Sequence, residues 1–277
     1  MTAAKAQEAL HEGKTDEARD LLERAIAGGD RDPQTRLVLF AVKIRLQDFL
    51  GAKEALDEVT RLAPQSGPLT KRLESCAAAE WVYANRGRDP QLAGQRASLT
   101  PPPPFALALV KAATLHANGD SAGAAAALKE AEGVRPRTPG VLTTRKGERV
   151  PFVDLTDTDD LTGATLPFFY ESQVYDVPYA TMRTLTFHEP EDPFELMWPR
   201  VSFELTTGTK GTVATPALYA GSGADADPSV RVGRTTVWDH DRGYAIARGL
   251  RDFWVTGQGG DRRMMGLVHF AKLELGA

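Results

Sequence analysis

The sequence predicts an α+β protein, in which an all-helical N-terminal domain precedes a β-rich C-terminal domain. Up to about residue 134 the chain is rich in Ala, Leu, Glu, Lys and Arg, and its apolar residues recur three and four positions apart, as in amphipathic helices. Beyond residue 140, Thr, Val and aromatic residues mix with frequent Gly and Pro, which is typical of short strands joined by turns. We therefore expect two domains, residues 1–136 and residues 137–277.

Composition disfavours several classes of function. The chain has 277 residues, of which 42% are hydrophobic and 25% charged, and its formal net charge of -4 speaks against nucleic acid as the main partner. Its one cysteine, Cys76, cannot form an internal disulfide, and we expect it to pack in a helix. Neither a signal-peptide pattern nor a membrane-length apolar run is present, so the sequence predicts a cytoplasmic protein without membrane contact.

A repeat organises the helical half. Ala18 and Leu22 recur at Ala52 and Leu56, which is the period of about 34 residues of tetratricopeptide repeats. The stretch EGKTDEARDLLERA, which begins at residue 12, returns again as NGDSAGAAAALKEA. Small residues at matching positions let paired antiparallel helices approach closely. The sequence therefore predicts a short tetratricopeptide-like array whose end is covered by the second domain.

The β-rich half contains several strand candidates and two candidate helices. Alternating apolar and polar residues around Val201 and Phe203 favour a strand that is buried on one face. Helices are expected over residues 159–170 and 244–254. The predicted strands fall within residues 149–156, 177–187, 198–208, 211–219 and 266–275.

The acidic segment DLTDTDDLTG at 154–163 is the strongest candidate for metal or phosphate chemistry. A calcium loop would need a glycine at its sixth position, and an aspartyl phosphatase would need alternating strands and helices followed by a lysine and an acid. The five histidines are scattered, with no pair at metal-ligand spacing. We expect helix capping and neither metal nor cofactor; hydrolysis with a metal on Asp157, Asp159 and Asp160 is an alternative.

The segment YAGSGADADPSVRVGRTTVW at 219–238 suggests either a phosphate-binding loop or a turn. Phosphate loops need GxxxxGK[ST], whereas the nearest lysine, Lys210, precedes the segment. A nucleophile elbow needs GxSxG, and Ser222 lies in GSG. We therefore expect turns that use the glycines for positive φ. Arg231 and Arg234 either pair with the aspartates of the segment or face a partner.

Five short motifs follow one another in the β-rich half. In this order, behind a helical repeat domain, they resemble the family named ImpE, SciE or TagJ, whose members are accessory proteins encoded with bacterial type VI secretion systems. The motifs are DTD (157–159), YDVPY (175–179), ELMWP (195–199), TPALYAGS (215–222) and GRTTVW (233–238).

The resemblance implies a cytoplasmic, non-enzymatic scaffold rather than a catalyst. Its implied partner is the N-terminal helix of the small sheath subunit, TssB, and through it the scaffold influences the sheath-disassembly ATPase. Large aromatic and cationic side chains of the motifs are the candidate partner-binding residues: Trp198, Tyr219, Arg234 and Trp238. A general tetratricopeptide adaptor or chaperone, with its ligand on the concave face of residues 1–134, is the other alternative.

Overall fold

The fold is α+β, as the sequence predicts: a helical region precedes a region of antiparallel sheets. The computed structural model describes residues 2–276, and none of the helices within them is long and apolar enough to cross a membrane. The first region consists of α1 (Thr2–His11), α2 (Thr15–Ala27), α3 (Pro33–Arg45), α4 (Phe49–Leu62), α5 (Gly67–Asn85), α6 (Pro90–Gly94), α7 (Pro104–Ala117) and α8 (Ser121–Val134).

Within the described residues, the second region contains thirteen strands and one short α-helix, α9 (Pro228–Arg231). The strands are β1 (Gly140–Thr144), β2 (Arg149–Phe152), β3 (Asp154–Asp157), β4 (Thr165–Tyr170), β5 (Gln173–Pro178), β6 (Met182–Phe187), β7 (Arg200–Leu205), β8 (Lys210–Ala214), β9 (Thr236–Asp239), β10 (Ile246–Gly249), β11 (Asp252–Thr256), β12 (Arg262–Gly266) and β13 (Phe270–Leu275).

These strands form three sheets. The largest has eight strands in the order β2-β1-β13-β6-β7-β8-β4-β5, and all of its paired strands are antiparallel. A three-stranded sheet has the order β12-β11-β3, and β9 pairs with β10. Because β2 and β3 are separated by one residue, the chain passes directly from the large sheet into the small one.

The repeat units of the helical region share their backbone geometry. Each unit passes through a residue with positive φ shortly before its second helix, and the small residue five positions later is fully buried. The left-handed residues are Gly13 (φ 83°), Gln47 (φ 58°) and Gly119 (φ 81°), and the buried ones are Ala18, Ala52 and Ala124, each 0% exposed. The short side chains allow close helix pairing, as the sequence pattern indicates.

The two segments expected to be helical are strands instead. Residues 159–170 form a turn and β4, and residues 244–254 contribute β10 and the start of β11. Gly249 has a φ of 106°, which no helix accommodates, and a Cβ there would lie 2.0 Å from the carbonyl oxygen of Thr235. In the other segment the TLPFFY run pairs with β5 and β8, so strand pairing determines its conformation.

Two hydrophobic cores stabilise the molecule, and each takes residues from both regions. In one core Phe105 of α7 packs with Phe168 and the other inward side chains of the sheets. In the second core Phe40 of α3 meets Trp198, with their ring centroids 6.2 Å apart and nearly edge to face. The change from helices to strands is therefore not a boundary between cores, and a division into domains at residue 136 stays a prediction.

Candidate functional site

A buried polar cluster joins α5 to three segments of the β-rich region. We call it the central cluster, and it consists of Tyr83, Asp157, Tyr219 and Arg251. The Nη1 of Arg251 donates to Oδ2 of Asp157 at 2.5 Å, and its Nη2 donates to the Tyr83 hydroxyl. The Tyr219 hydroxyl donates to Oδ1 of Asp157 at 2.7 Å. Because the side chains of Arg251 and Asp157 are both 0% exposed, each charge is balanced inside the protein.

The electrostatics of the central cluster are dominated by burial. Burial raises the pKa of Asp157 to about 6, against the attraction of Arg251. Burial likewise raises the pKa of Tyr83 and of Tyr219, so both phenols keep their protons. The members bond to one another and to the backbone, as when the N–H of Asp252 donates to the Tyr219 hydroxyl at 2.9 Å. The polar groups of the cluster are therefore used in hydrogen bonds within the protein.

The acidic segment after β3 is folded into a turn by its own carboxylates. Oδ1 of Asp157 accepts from the backbone N–H of Asp159 at 2.8 Å. Oδ2 of Asp159 accepts from the N–H of Ala247 at 2.9 Å, and Oδ2 of Asp160 accepts from that of Ala245 at 2.6 Å. The expectation that these aspartates cap a helix is therefore wrong, because the backbone N–H groups that they satisfy belong to a turn and to the β10 region.

In the part of the chain that the structure describes, no group of side chains is arranged to bind a metal ion, and the one cysteine is buried. Within residues 2–276, no three or more His, Cys, Asp or Glu side chains are placed to hold a metal ion. The alternative of a hydrolase on Asp157, Asp159 and Asp160 thus has no ligand set there. Burial raises the pKa of the Cys76 thiol to about 12, which keeps it protonated and unreactive.

Three of the four candidate partner-binding residues are buried or half-buried and make internal hydrogen bonds. Trp198 is 3% exposed, and its Nε1 donates to Oε2 of Glu80 on α5 at 2.9 Å. Tyr219, 2% exposed, belongs to the central cluster. Trp238 is half-buried and donates from Nε1 to Oγ1 of Thr158 at 3.0 Å. Their role in partner binding stays a prediction, and the structure gives each of them a structural role besides.

The fourth candidate, Arg234, is exposed at the first repeat unit. Its Nη2 donates to the carbonyl oxygen of His11, the last residue of α1. Nearby, Nη1 of Arg231 lies 3.7 Å from Oδ2 of Asp16 on α2. Both arginines therefore contact the helical region rather than the aspartates of their own loop, which corrects that part of the sequence analysis.

The glycine-rich loop ahead of α9 is a turn packed against the helices. Gly221 has a φ of 79°, and the hydroxyl of Ser222 accepts from the N–H of Gly249 at 2.8 Å. A Cβ on Gly223 would lie 2.4 Å from the carbonyl oxygen of Arg45, so only glycine permits this approach to α3. The observed geometry agrees with the turn that the sequence predicts.

A second buried ion pair lies near the end of α5. Asp176, in the YDVPY motif, accepts from Nη1 of Arg86 at 2.9 Å and lies 3.3 Å from Nε of Arg96. Burial alone would raise the pKa of Asp176, but the charges of Arg86 and Arg96 hold it below its ordinary value. Motif residues thus join the helices to the strands here as well.

Sequence reasoning missed the cationic and helical partners of the motif residues. Arg251 stands in ARGLRDF and Tyr83 in the alanine-rich part of α5, and neither has a local pattern that marks it as buried and polar. One signal was available, because Arg251 stands directly before β11, whose residues Phe253 and Val255 enter the core. Its partner, Asp157, is 94 residues away in the chain.

A cleft of about 1170 Å³ separates α8 from the three-stranded sheet. We call it the α8 cleft and define it by five of its lining residues. They are Leu128 and Lys129 on α8, Trp254 on β11, and Arg262 and Met264 on β12. None of these five was a candidate in the sequence analysis, but the candidate Trp238 also lines the cleft. Unlike the central cluster, this cleft offers side chains to an external molecule.

Comparison with known proteins supports both the fold and the resemblance. Residues 149–270 match the model of a family described as ImpE protein. The X-ray crystal structure of protein VPA1032 from Vibrio parahaemolyticus superposes with a TM-score of 0.83 over 98% of this chain and 97% of that chain. The two sequences are 20% identical, so this likeness shows the fold alone. No curated protein matches the chain. The resemblance to the ImpE family is therefore confirmed over residues 149–270, the stretch that carries all five motifs.

Proposed function

We propose that this protein is an accessory component of a bacterial type VI secretion system, of the kind also named SciE or TagJ. The observation that carries the proposal is the match of residues 149–270 to the ImpE family. Motif residues in that stretch also join the helical and β-rich regions through hydrogen bonds, as when Trp198 donates to Glu80 and Asp176 accepts from Arg86.

The proposed role is a non-enzymatic one in the cytoplasm, without a cofactor, nucleic acid or membrane as partner. In support, the acidic and phenolic groups that could serve catalysis are bonded to one another in the central cluster. The partner that we propose is the N-terminal helix of the small contractile-sheath subunit, a TssB-like protein. Through this contact the scaffold influences sheath assembly or disassembly, and indirectly the disassembly ATPase.

A helix of this kind binds by laying its apolar face into a groove, with anchors at positions i, i+3, i+4 and i+7. Of the four candidate residues, the exposed Arg234 and the half-buried Trp238 are open to such a contact. Substituting the buried Trp198 or Tyr219 would disturb the fold first, so neither is suited to mapping a binding surface.

The test is calorimetric titration of the full-length protein with a synthetic peptide of the N-terminal helix from its own organism's small sheath subunit. A scrambled peptide of the same composition is the control. We expect micromolar binding of the native peptide alone. Equal binding of both peptides, or of neither by folded protein, would remove the sheath-subunit assignment.

A further inference from the structure

The α8 cleft has one helical wall and one sheet wall. On α8 the lining residues recur at intervals of one to three positions, so they lie on one side of the helix: Ala125, Leu128, Lys129, Ala131 and Glu132. On the sheet, Trp254 stands directly across from both Thr156 of β3 and Met264 of β12. These three side chains form a cross-strand row on the face that lines the cleft.

The size and the apolar surface of the cleft fit a macromolecular segment. Small-molecule pockets usually measure about 300–1,000 Å³, and this cleft of about 1170 Å³ exceeds them. Met264 is 46% exposed, and the partly buried Trp254 stands directly across from it on β11. The partly buried Leu128 lines the helical wall. An exposed methionine next to a tryptophan is an adaptable apolar floor for a partner's side chains.

Four of the charged side chains that line the cleft neutralise one another. Arg135 pairs with Asp154 at 2.8 Å and with Glu132 at 2.7 Å. Arg137 approaches the other oxygen of Asp154, also at 2.8 Å. Two cations and two carboxylates are thereby matched, and this group leaves no net charge for a ligand.

Two further cations face the cleft from its opposite walls. Lys129 and Arg262 are exposed, and within residues 2–276 neither has a carboxylate at ion-pair distance. The guanidinium of Arg262 lies over the Trp254 ring, 4.7 Å from its centroid, which holds the charge beside the apolar floor.

Two further aspartates line the cleft. Asp157 is fully buried and paired with Arg251, whereas Asp160 is exposed and keeps its negative charge while accepting from the N–H of Ala245 at 2.6 Å. Two cations outweigh this one carboxylate, so the accessible charge is positive, in a chain whose formal net charge is -4.

We propose that the α8 cleft receives an amphipathic α-helix of a partner protein. Apolar residues of this helix pack on Leu128, Trp254 and Met264, and carboxylates on its flanks pair with Lys129 and Arg262. The inference rests on the proposed function and names the surface that the sheath-subunit helix uses. The outer edge of β12, which pairs with no strand among residues 2–276, would instead take a strand through its backbone and would leave Lys129 without a contact.

The experiment uses the full chain and the same native peptide, with two types of substitution in the cleft. Met264→Glu places a charge on the apolar floor, and the double variant Lys129→Glu with Arg262→Glu reverses the two cations. Leu196→Glu, at a side chain that is 57% exposed outside the cleft, is the matched control for the first, and Lys71→Glu on α5 controls for charge. Thermal unfolding checks that each variant is folded.

We expect both cleft variants to bind the peptide at least tenfold more weakly than the wild type, and both controls to bind within about twofold. A peptide whose acidic residues are replaced by lysine should lose affinity for the wild type and regain it with the double charge reversal. Wild-type binding that all cleft variants retain would overturn the cleft assignment alone. If the folded wild type does not bind the peptide, both the proposed function and this inference fail.

A second copy of the chain is the competing occupant, and sedimentation of the wild type and of Met264→Glu addresses it. Self-association that Met264→Glu abolishes would assign the cleft to a homodimer and overturn the proposal. A wild type that stays monomeric and binds the peptide through the cleft supports it.

Discussion

The central cluster and the α8 cleft lie on neighbouring strands but use their polar groups in opposite ways. In the central cluster the charges of Asp157 and Arg251 are fully buried and bonded to each other. In the cleft Lys129 and Arg262 are exposed and have no carboxylate partner within the described residues. The comparison teaches that motif residues such as Asp157 and Tyr219 are used inside the fold, whereas the exposed cations of the cleft, Lys129 and Arg262, lie outside the motifs.

The largest expected effect comes from removing the cation of the central cluster. Arg251→Met leaves the buried carboxylate of Asp157 without its counter-charge, which we expect to lower the free energy of unfolding by about 3–5 kcal/mol. Urea unfolding followed by circular dichroism measures the loss. Arg262→Met in the cleft is the matched control, and its expected change is within about 0.5 kcal/mol. Equal losses from the two substitutions would contradict the distinction between the two regions.

The sequence predicted the parts of the fold that depend on local pattern. Ala18 and Ala52 have the repeat spacing that their buried positions require, and Val201 and Phe203 alternate as the buried face of β7 does. The helix expected over residues 159–170 was wrong because pairing with β5 and β8 outweighs local propensity.

The two sites could be predicted only in part, because both depend on contacts between distant segments. Asp157 and Tyr219 stood out within motifs, but their common partner Arg251 belongs to no motif that marks burial. Lys129 and Arg262 face the same cleft only because the three-stranded sheet packs beside the last repeat helix. No spacing along the chain indicates this approach.

The pH dependence of stability offers a second, somewhat smaller effect in the central cluster. The pKa of Asp157 is about 6 in the folded protein, against about 3.9 for an unperturbed aspartate. The folded state therefore holds this proton more tightly, so its contribution to stability is complete below about pH 4 and disappears as the pH rises through about 6. The expected decrease is about 2–3 kcal/mol.

Urea unfolding of the wild type and of Asp157→Asn at several pH values between 4 and 7 isolates this contribution, because asparagine does not titrate. The wild type should lose stability relative to the variant as the pH rises. A relative gain over the same range would mean that the attraction of Arg251 outweighs burial at this carboxylate.

Two separate tryptophan substitutions give a third comparison of stability between the buried scaffold and the cleft. Trp198→Phe removes the Nε1–H donor from the Glu80 carboxylate, and we expect it to cost about 1–3 kcal/mol because a partly buried acceptor loses its partner. Trp254→Phe, in the partly buried floor of the cleft, should cost less, because no hydrogen bond of its side chain to residues 2–276 is lost. Thermal unfolding of both variants ranks them, and a larger loss at Trp254 would reverse the assignment of roles.

The smallest expected effect on stability is at Met264. A substitution there should change the affinity for the peptide while leaving the free energy of unfolding almost unchanged. Its side chain is 46% exposed on edge strand β12, so Met264→Ala removes little buried surface and should change the free energy of unfolding by less than about 0.5 kcal/mol. Urea unfolding measures this change, and titration with the sheath-subunit peptide measures affinity in the same preparation. A loss of affinity at unchanged stability is what an exposed docking residue gives. A loss of about 2 kcal/mol in stability would instead show that Met264 already packs within the protein, and the α8 cleft would then belong with the scaffold.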